Sequence, residues 1–267
     1  MKSKIGWGTV FLFLIFLGNL SSGALCRETN QEPLNQEELE NYLRTAKVVS
    51  VTKDSEKGRT APWKIELDDG KIQRPGFFKY VNRPRPGVMP TSYKYEIAAY
   101  KLNKLLDLNC VPPVVGREIE EIKGSLQIYL VDCVTRTVLE KKKTEAPDPV
   151  KYQNALDEIK IFENLTYNEC QKKDDILIHK ETWQVWRVDF SEAFSPTSEL
   201  LPGCEITRCS RKLYQNLLQL KNDAIKNALN LYLNPEEIDA LLDRKEMIIE
   251  KIKKLIAAKG EEAALFS

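Results

Sequence analysis

The first third of the chain is marked by short apolar runs separated by turn-forming residues. Residues 46–52 are rich in β-branched residues, Trp63 to Leu67 alternates between apolar and polar positions, and Phe77 to Val81 is a third apolar run. Asp68-Asp69-Gly70 follows the second run and is typical of a tight hairpin turn. The pattern therefore predicts three short strands in an antiparallel sheet.

A helical pattern interrupts these strands after a proline-rich loop at residues 83–90. Thr91 or Ser92 can cap the helix, and apolar side chains recur at helical spacing from Tyr93 to Leu106. Two further apolar runs follow, one beginning at Cys110-Val111 and one covering residues 124–131, and each predicts another strand.

The remaining residues are mainly helical in pattern. A helix-like segment at Ile161 to Leu165 leads through a polar loop to two short apolar runs, 176–178 and 185–188, which predict a hairpin. Residues 210–232 and 235–258 then form two long helical patterns, the second opening on proline and two glutamates. A small β-rich half followed by a mostly helical half predicts an α+β fold with two lobes.

The N-terminus has the organisation of a secretory signal peptide. Lysines at the start precede an apolar core from Val10 to Leu17, and small residues then lead to Ala24. We expect cleavage after Ala24, with an uncleaved membrane anchor as the alternative. The expected organisation is a signal peptide at 1–24, a leader at 25–45, a β-rich lobe at 46–145 and a helical lobe at 146–267. Within the leader, Asn30 to Asn41 is polar and acidic and is expected to be either poorly ordered or a short surface helix.

Composition excludes several classes of function. Among 267 residues, 40 Lys and Arg balance 39 Asp and Glu, so no net positive field attracts nucleic acid. The chain has one histidine, His179, which excludes histidine-based metal clusters and catalytic triads. We expect a mature chain without a membrane span, located outside the cell, in a periplasm or in the lumen of a secretory pathway.

Export would make disulfide bonds available to the six cysteines. Six cysteines allow about fifteen complete pairings, and the sequence does not decide among them. Cys204 and Cys209 are close enough along the chain to close a small loop, and this is the pair we favour. The cysteine spacings do not match a zinc site.

Two aspartates mark the ends of the predicted hairpin. Asp175 precedes its first strand and Asp189 follows its second, so both carboxylates are expected near one end of the strand pair. Carboxylate oxygens suit Mg²⁺ that carries the phosphates of a nucleotide. The alternative is a hairpin whose turn residues are simply acidic, because Asp is common in turns.

In this order the elements resemble a protein-kinase-like fold. The specific similarity is to atypical kinases grouped around the HipA toxins, secretory-pathway kinases and lipid-kinase-like bacterial proteins. The resemblance covers residues 46–266, and its most specific part is the helix of Glu96 with the Val-Pro-Pro segment that follows. The segments that carry it are 63–70, 77–79, 95–102, 105–113, 124–127, 188–194 and 244–261.

The resemblance implies a role for individual residues. Lys79 resembles the strand lysine that grips nucleotide phosphates, and Glu96 resembles the helix acid that holds this lysine in place. The segment from Gln127 to Leu130 resembles the connection between the lobes, whose backbone would bind adenine. Asp189 and Asp175 resemble the two magnesium ligands, although Asp175 stands where the family usually has asparagine. ATP and Mg²⁺ are the implied cofactors.

One position departs from the family pattern. Cys170 stands where relatives have the aspartate that orients the attacking hydroxyl, and Gln171 replaces the arginine after it. A thiol is not an equivalent base, and in an oxidising compartment Cys170 could be disulfide-bonded. Glu169 or Asp174 would substitute only after a shift in register. The nucleotide loop is also poor in glycine, with Gly58 alone.

These observations favour an exported pseudokinase that binds a nucleotide or regulates another protein. The alternative is an active ATP-dependent phosphotransferase acting on a hydroxyl of a protein or small molecule. A third interpretation is an α+β domain whose likeness to kinases is only architectural. Asn164-Leu165-Thr166 matches a glycosylation sequon but falls in a predicted helix, and we treat it as accidental.

Overall fold

A computed structural model describes residues 35–53, 61–83 and 90–267. The expected signal peptide and Gly58 lie outside the described residues, as does most of the proline-rich loop. In the part of the chain that is described, none of the helices is both long and apolar enough to cross a membrane.

The first lobe is built on an antiparallel sheet. Within the described residues it has five strands in the order β1-β2-β3-β7-β6. Its elements are α1 (Gln36–Thr45), β1 (Lys47–Lys53), β2 (Trp63–Asp68), β3 (Gln73–Lys79), β4 (Asn82–Arg83), β5 (Thr91–Ser92), α2 (Tyr93–Leu105), β6 (Val114–Ile119) and β7 (Ile122–Ile128). The strands predicted from sequence are all present, although β3 begins and ends earlier than the apolar run at residues 77–81, and β6 begins only at Val114.

One face of this sheet is closed by a helix from the expected leader. Asn35 forms a capping box that starts α1. Tyr42 and Leu43 of this helix are buried against the sheet, and the Tyr42 hydroxyl donates a 2.7 Å hydrogen bond to the carbonyl oxygen of Leu67. Residues 36–45 are therefore a structural part of the lobe. A helix was one of the two expectations for the leader, but this helix packs against the sheet through Tyr42 and Leu43.

The helix α2 begins where its cap was expected. The Ser92 side chain accepts a hydrogen bond from the backbone amide of Lys94. Although α2 follows the first strands in sequence, its apolar residues belong to the larger hydrophobic core, together with Ile225 and Leu229 of the helical lobe. The helix is thus held on the helical side while it borders the sheet.

The helical lobe contains a smaller antiparallel sheet of three strands. Its elements are β8 (Cys133–Thr135), α3 (Arg136–Lys142), α4 (Pro149–Thr166), a 3₁₀ turn (Lys173–Asp175), β9 (Ile176–His179), β10 (Val185–Arg187), β11 (Cys209–Ser210), α5 (Arg211–Gln219), α6 (Asn222–Leu229), α7 (Pro235–Lys259), α8 (Glu261–Ala264) and β12 (Leu265–Phe266). The hairpin expected near residue 180 is β9 and β10. Strand β8 pairs with β9, so strand pairing crosses the boundary predicted near residue 145.

The helical pattern at residues 210–232 is divided in the structure. Helix α5 ends at Gln219 and α6 begins at Asn222. The buried ammonium of Lys245 donates to the carbonyl oxygen of Leu220 at 2.9 Å and to the Asn222 side chain at 2.7 Å. These contacts stabilise the break, because they satisfy backbone and side-chain oxygens that a continuous helix would orient differently.

Candidate functional site

The strand lysine and two carboxylates meet between the lobes. Lys79 is the last residue of β3, and its ammonium lies 2.5 Å from Glu96 Oε1 and 2.8 Å from Asp189 Oδ1. Burial alone would lower the pKa of Lys79, but the attraction of Glu96 and then Asp189 outweighs it and raises the pKa above 10.5. Lys79 is therefore a fixed cation at this junction.

Glu96 is held almost completely inside the protein. It lies in the first turn of α2 with 3% of its surface exposed, and its Oε1 also accepts a hydrogen bond of 3.1 Å from the backbone amide of Phe190. Burial raises the pKa of Glu96, and Lys79 offsets this effect only in part. The carboxylate thus links the sheet, α2 and the segment after β10.

Asp189 is the accessible member of the group. Its side chain is 39% exposed, and its backbone adopts the left-handed region at φ 64°, which Asp tolerates better than most residues. The Ser191 hydroxyl donates to Asp189 Oδ1 at 2.7 Å, and the Asn168 side chain donates to the Asp189 carbonyl oxygen at 3.1 Å. Burial would raise the pKa of Asp189, but Lys79 outweighs it and holds the pKa well below 3.8.

The segment expected to bind adenine lies on the same sheet as Lys79. Gln127 pairs with Phe77, and Ser125 pairs with Lys79, in the register of β3 and β7. Residues two apart on a strand share a face, so Gln127 is on the face of Lys79, about 7 Å along the strand. Leu130 follows the end of β7 and packs on the core of the first lobe. The adenine-binding role of both residues stays a prediction.

The second candidate metal ligand is surrounded by cations. Asp175 ends the 3₁₀ turn, and its Oδ2 lies 3.1 Å from the Lys172 ammonium and 3.5 Å from Arg187 Nη1. Burial raises the pKa of Asp175, Arg187 lowers it, and the nearby charge of Asp189 raises it again. The carbonyl oxygen of Asp175 accepts a hydrogen bond from the Val188 amide at 2.9 Å, which joins the two ends of the hairpin.

The position of the expected catalytic base is taken up by a disulfide bond. Cys170 is bonded to Cys204, across 34 residues. The favoured pairing of Cys204 with Cys209 is therefore wrong, and Cys209 is buried as a free thiol. The short separation of Cys204 and Cys209 in sequence favoured their pairing. The chain instead brings Cys204 back over α4, where the Asn164 side-chain amide donates a 2.9 Å hydrogen bond to the Cys204 carbonyl oxygen.

The arrangement has identifiable relatives among solved structures. The chain superimposes on the Golgi casein kinase with a TM-score of 0.62 at 13% identity, covering 86% of this chain and 79% of that one. It also superimposes on the Helicobacter pylori proinflammatory kinase CtkA, with a TM-score of 0.52 at 11% identity, covering 84% of this chain and 99% of that one. The chain has an atypical protein-kinase-like fold. By sequence, no protein-family model and no curated protein matches it.

This kinase-like fold confirms the expected α+β architecture, with a β-sheet lobe and a helical part. At such low identity the likeness establishes the fold and leaves the activity open. Lys79 is in direct contact with Glu96, the residue that the resemblance pairs with it, and also with Asp189.

Glu169 and Asp174, the two alternative bases, are both exposed but lie at different distances from Cys170 in the sequence. Glu169 precedes Cys170 and its side chain is 65% exposed, with a carboxylate oxygen 3.0 Å from Lys172. Asp174 is exposed on the 3₁₀ turn next to Asp175. Glu169 is therefore the carboxylate that stands next to the usual base position in sequence and faces solvent.

A buried ion pair beneath the loop was not anticipated from sequence. Arg187 and Glu163 have fully buried side chains, and Arg187 Nε lies 2.7 Å from Glu163 Oε1. Glu163 Oε2 also accepts a 2.9 Å hydrogen bond from the Gln171 amide. Glu163 lies within the apolar run at residues 161–165, and Arg187 lies within the run at residues 185–188. A charged residue inside an apolar run is a sequence signal for a buried ion pair, because buried charges are usually paired.

Asn164 also has a structural role that bears on the sequon. Its side chain is fully buried, and its amide donates to the carbonyl oxygens of Lys160 and Cys204, each at 2.9 Å. Its Oδ1 accepts a 3.1 Å hydrogen bond from the Leu201 amide. This buried side chain lies away from solvent, which agrees with the interpretation of the sequon as accidental.

The segments after Asp189 are fixed by the long helix α7. Arg244 is completely buried, and its guanidinium donates to the carbonyl oxygens of Leu165, at 3.0 Å, and Ser195, at 2.9 Å. It also donates to the carbonyl oxygen of Thr197. One side chain from α7 therefore holds the end of α4 and the chain beyond Asp189 together.

Proposed function

We propose that the protein is an exported, nucleotide-binding pseudokinase with little or no phosphotransfer activity. The observation that carries this proposal is the disulfide bond at Cys170, in a site that keeps Lys79 between two carboxylates. The first feature argues against catalysis and the second argues for binding.

The case for nucleotide binding rests on the fixed lysine. A lysine ammonium on a flexible stem needs a carboxylate to orient it toward phosphates, and Glu96 supplies this constraint from inside the protein. Asp189 is exposed enough to take part in binding the phosphates through a divalent cation. ATP with Mg²⁺ is the ligand that best fits this set of groups.

The case against catalysis rests on the chemistry of a disulfide. A general base must accept the proton of the attacking hydroxyl, and the loss of such a base typically costs about 10²–10⁴-fold in rate. The sulfur of Cys170 is bonded to Cys204 and has no thiolate form to accept a proton. The site would therefore bind nucleotide without an efficient group to activate an acceptor.

An active kinase is the second candidate function, and Glu169 is the observation that favours it. Its carboxylate is exposed beside the usual base position. The two structural neighbours are both named as kinases, which is compatible with phosphotransfer to a hydroxyl of a protein or small molecule. On this alternative Glu169 would orient the acceptor in place of the missing aspartate.

Export is supported by the N-terminal pattern and by the disulfide bond, since disulfides persist in oxidising compartments. N-terminal sequencing of the protein recovered from the secreted or periplasmic fraction should give a chain that starts near Leu25. A chain that retains Met1 in that fraction would contradict the cleavage.

The central experiment measures binding and turnover separately. Calorimetric titration of the purified protein with ATP and Mg²⁺ should detect binding, while radiolabelled phosphate transfer to the protein itself or to added proteins should be near background. Robust transfer that disappears in Glu169→Gln, with ATP binding retained, would establish the active alternative. The absence of ATP binding would contradict nucleotide binding altogether.

A restored base provides a sharper test of the missing group. Cys170→Asp/Cys204→Ser introduces the carboxylate, and Cys170→Ser/Cys204→Ser is the matched control that removes the same disulfide bond. We expect more phosphotransfer from the first variant than from the control, and this gain should vanish when Asp189→Ala is added. Equal rates in the two double variants would mean that the base is not the group that the site lacks.

A further inference from the structure

The hairpin strand that ends before Asp189 carries a buried cation next to the second candidate metal ligand. Arg187 Nη1 lies 3.5 Å from Asp175 Oδ2, and the Lys172 ammonium lies 3.1 Å from the same oxygen. Two positive charges therefore face one of the two carboxylate oxygens of Asp175.

Arg187 cannot turn away from this position without breaking several contacts. Its side chain is fully buried, its Nε pairs with Glu163 at 2.7 Å, and its Nη2 donates to the carbonyl oxygen of Glu169 at 3.2 Å. Its Nη1 donates to the carbonyl oxygen of Val188. Its backbone amide donates to the carbonyl oxygen of Cys110 at 2.6 Å. Lys172 is partly exposed and can move, whereas Arg187 is fixed.

A divalent cation at Asp175 would then lie close to the positive charge of the Arg187 guanidinium. Like charges repel strongly where burial excludes water. Glu163 is the closer partner of Arg187, and Asp175 Oδ2 already lies near both Arg187 and Lys172. The donor set at Asp175 therefore does not fit a metal ion.

Asp189 presents the opposite situation. Among the described residues, the hydrogen bonds to its carboxylate from Lys79 and Ser191 both go to Oδ1. The side chain is partly exposed, which leaves Oδ2 for a cation that carries the phosphates. This carboxylate fits one divalent cation.

We propose that the cleft binds its nucleotide with one divalent cation, held through Asp189, because Arg187 and Lys172 already occupy Asp175. The inference rests on the proposed nucleotide binding and specifies how many divalent cations accompany the bound nucleotide.

Counting bound Mn²⁺ tests this inference directly. The full chain is loaded with a non-hydrolysable ATP analogue, and bound Mn²⁺ per bound nucleotide is measured by electron paramagnetic resonance. We expect one Mn²⁺ per nucleotide in the wild type. Asp175→Asn should keep that ion, while Asp189→Asn should lose it.

The outcomes separate this inference from the function on which it rests. Two Mn²⁺ per nucleotide, with one lost in Asp175→Asn, would overturn the single-cation arrangement while leaving nucleotide binding intact. A bound nucleotide without any Mn²⁺ would also overturn it. If calorimetry detects no nucleotide binding, both the proposed function and the inference fail. Circular dichroism of each variant confirms that a lost ion does not reflect a lost fold.

Discussion

Replacing Lys79 by methionine tests the central contact of the site. The change removes the ammonium that would meet the phosphates and leaves a side chain of similar length. A hydrogen bond to a charged group typically contributes about 1.5–3 kcal/mol. We therefore expect ATP to bind roughly 10- to 150-fold more weakly, since about 1.4 kcal/mol corresponds to a tenfold change in affinity.

The same change has a structural cost that must be separated from binding. Lys79 is the cation 2.5 Å from Glu96, and Glu96 is 3% exposed. Removing one partner of a buried pair typically costs about 3–5 kcal/mol, because the other charge is left without compensation. Burial already raises the pKa of Glu96, so the unpaired carboxyl would take up a proton and reduce part of this cost.

A double variant removes this ambiguity. In Lys79→Met/Glu96→Gln both charges are gone, and the glutamine oxygen can still accept the hydrogen bond from the Phe190 amide. We expect this variant to recover most of the stability lost in Lys79→Met without recovering ATP affinity. Lys64→Met is the matched control, since Lys64 is an exposed lysine on the neighbouring strand.

The assay combines calorimetric titration of Mg-ATP with thermal unfolding of each variant. If the double variant is as stable as the wild type and binds ATP equally well, Lys79 does not contact the nucleotide. If Lys64→Met weakens ATP binding as much as Lys79→Met, the effect is one of general charge and the assignment fails.

Three further predictions concern stability and modification. Gly124→Ala should lower the free energy of unfolding in urea by about 1–3 kcal/mol, because the new Cβ would lie 2.4 Å from the Lys79 carbonyl oxygen. The control Gly116→Ala should have a much smaller effect, since its new Cβ has its nearest contact at 3.4 Å. Asn164 should carry no glycan when the chain is expressed in a eukaryotic secretory pathway, and an intact mass that includes a glycan at this residue would contradict the structure. The pKa of Asp189 is lower in the folded chain than its ordinary value of 3.8, so the stability that it contributes is present above pH 3.8 and is lost as the pH falls further. Wild type should accordingly lose stability relative to Asp189→Asn below about pH 4, and parallel curves would refute the shift.

Local patterns were sufficient to predict most of the elements. The three short apolar runs correspond to β1, β2 and β3, and Ser92 caps α2 as expected, because hairpins and caps depend on neighbours in sequence. The contacts of Lys79 with Glu96 and Asp189 join residues far apart in the chain. The pairing of Lys79 with Glu96 was expected only because the order of elements resembles a known family, and the contact of Lys79 with Asp189 was not predicted.

The features that sequence did not predict all depend on tertiary packing. The bond from Cys170 to Cys204 requires the loop after Asp189 to fold back over α4, and spacing alone favoured the nearer Cys209. The pairing of Arg187 with Glu163 likewise requires β10 to lie against α4. Apolar runs locate a buried strand and a buried helix, but they do not specify which two are neighbours.

The position of Arg244 in the chain has a consequence for the order in which the protein can be completed during synthesis. The core of the first lobe uses residues from Tyr42 to Ile128, so the ribosome has released every part of it well before the chain is finished. The carbonyl oxygens of Leu165 and Ser195 accept hydrogen bonds from Arg244, which is synthesised roughly 50 to 80 residues later. During synthesis, all residues of the first lobe's core would thus be available before the helical lobe can form the hydrogen bonds of Arg244. A ribosome stalled before residue 244 would leave the segment after Asp189 without these hydrogen bonds.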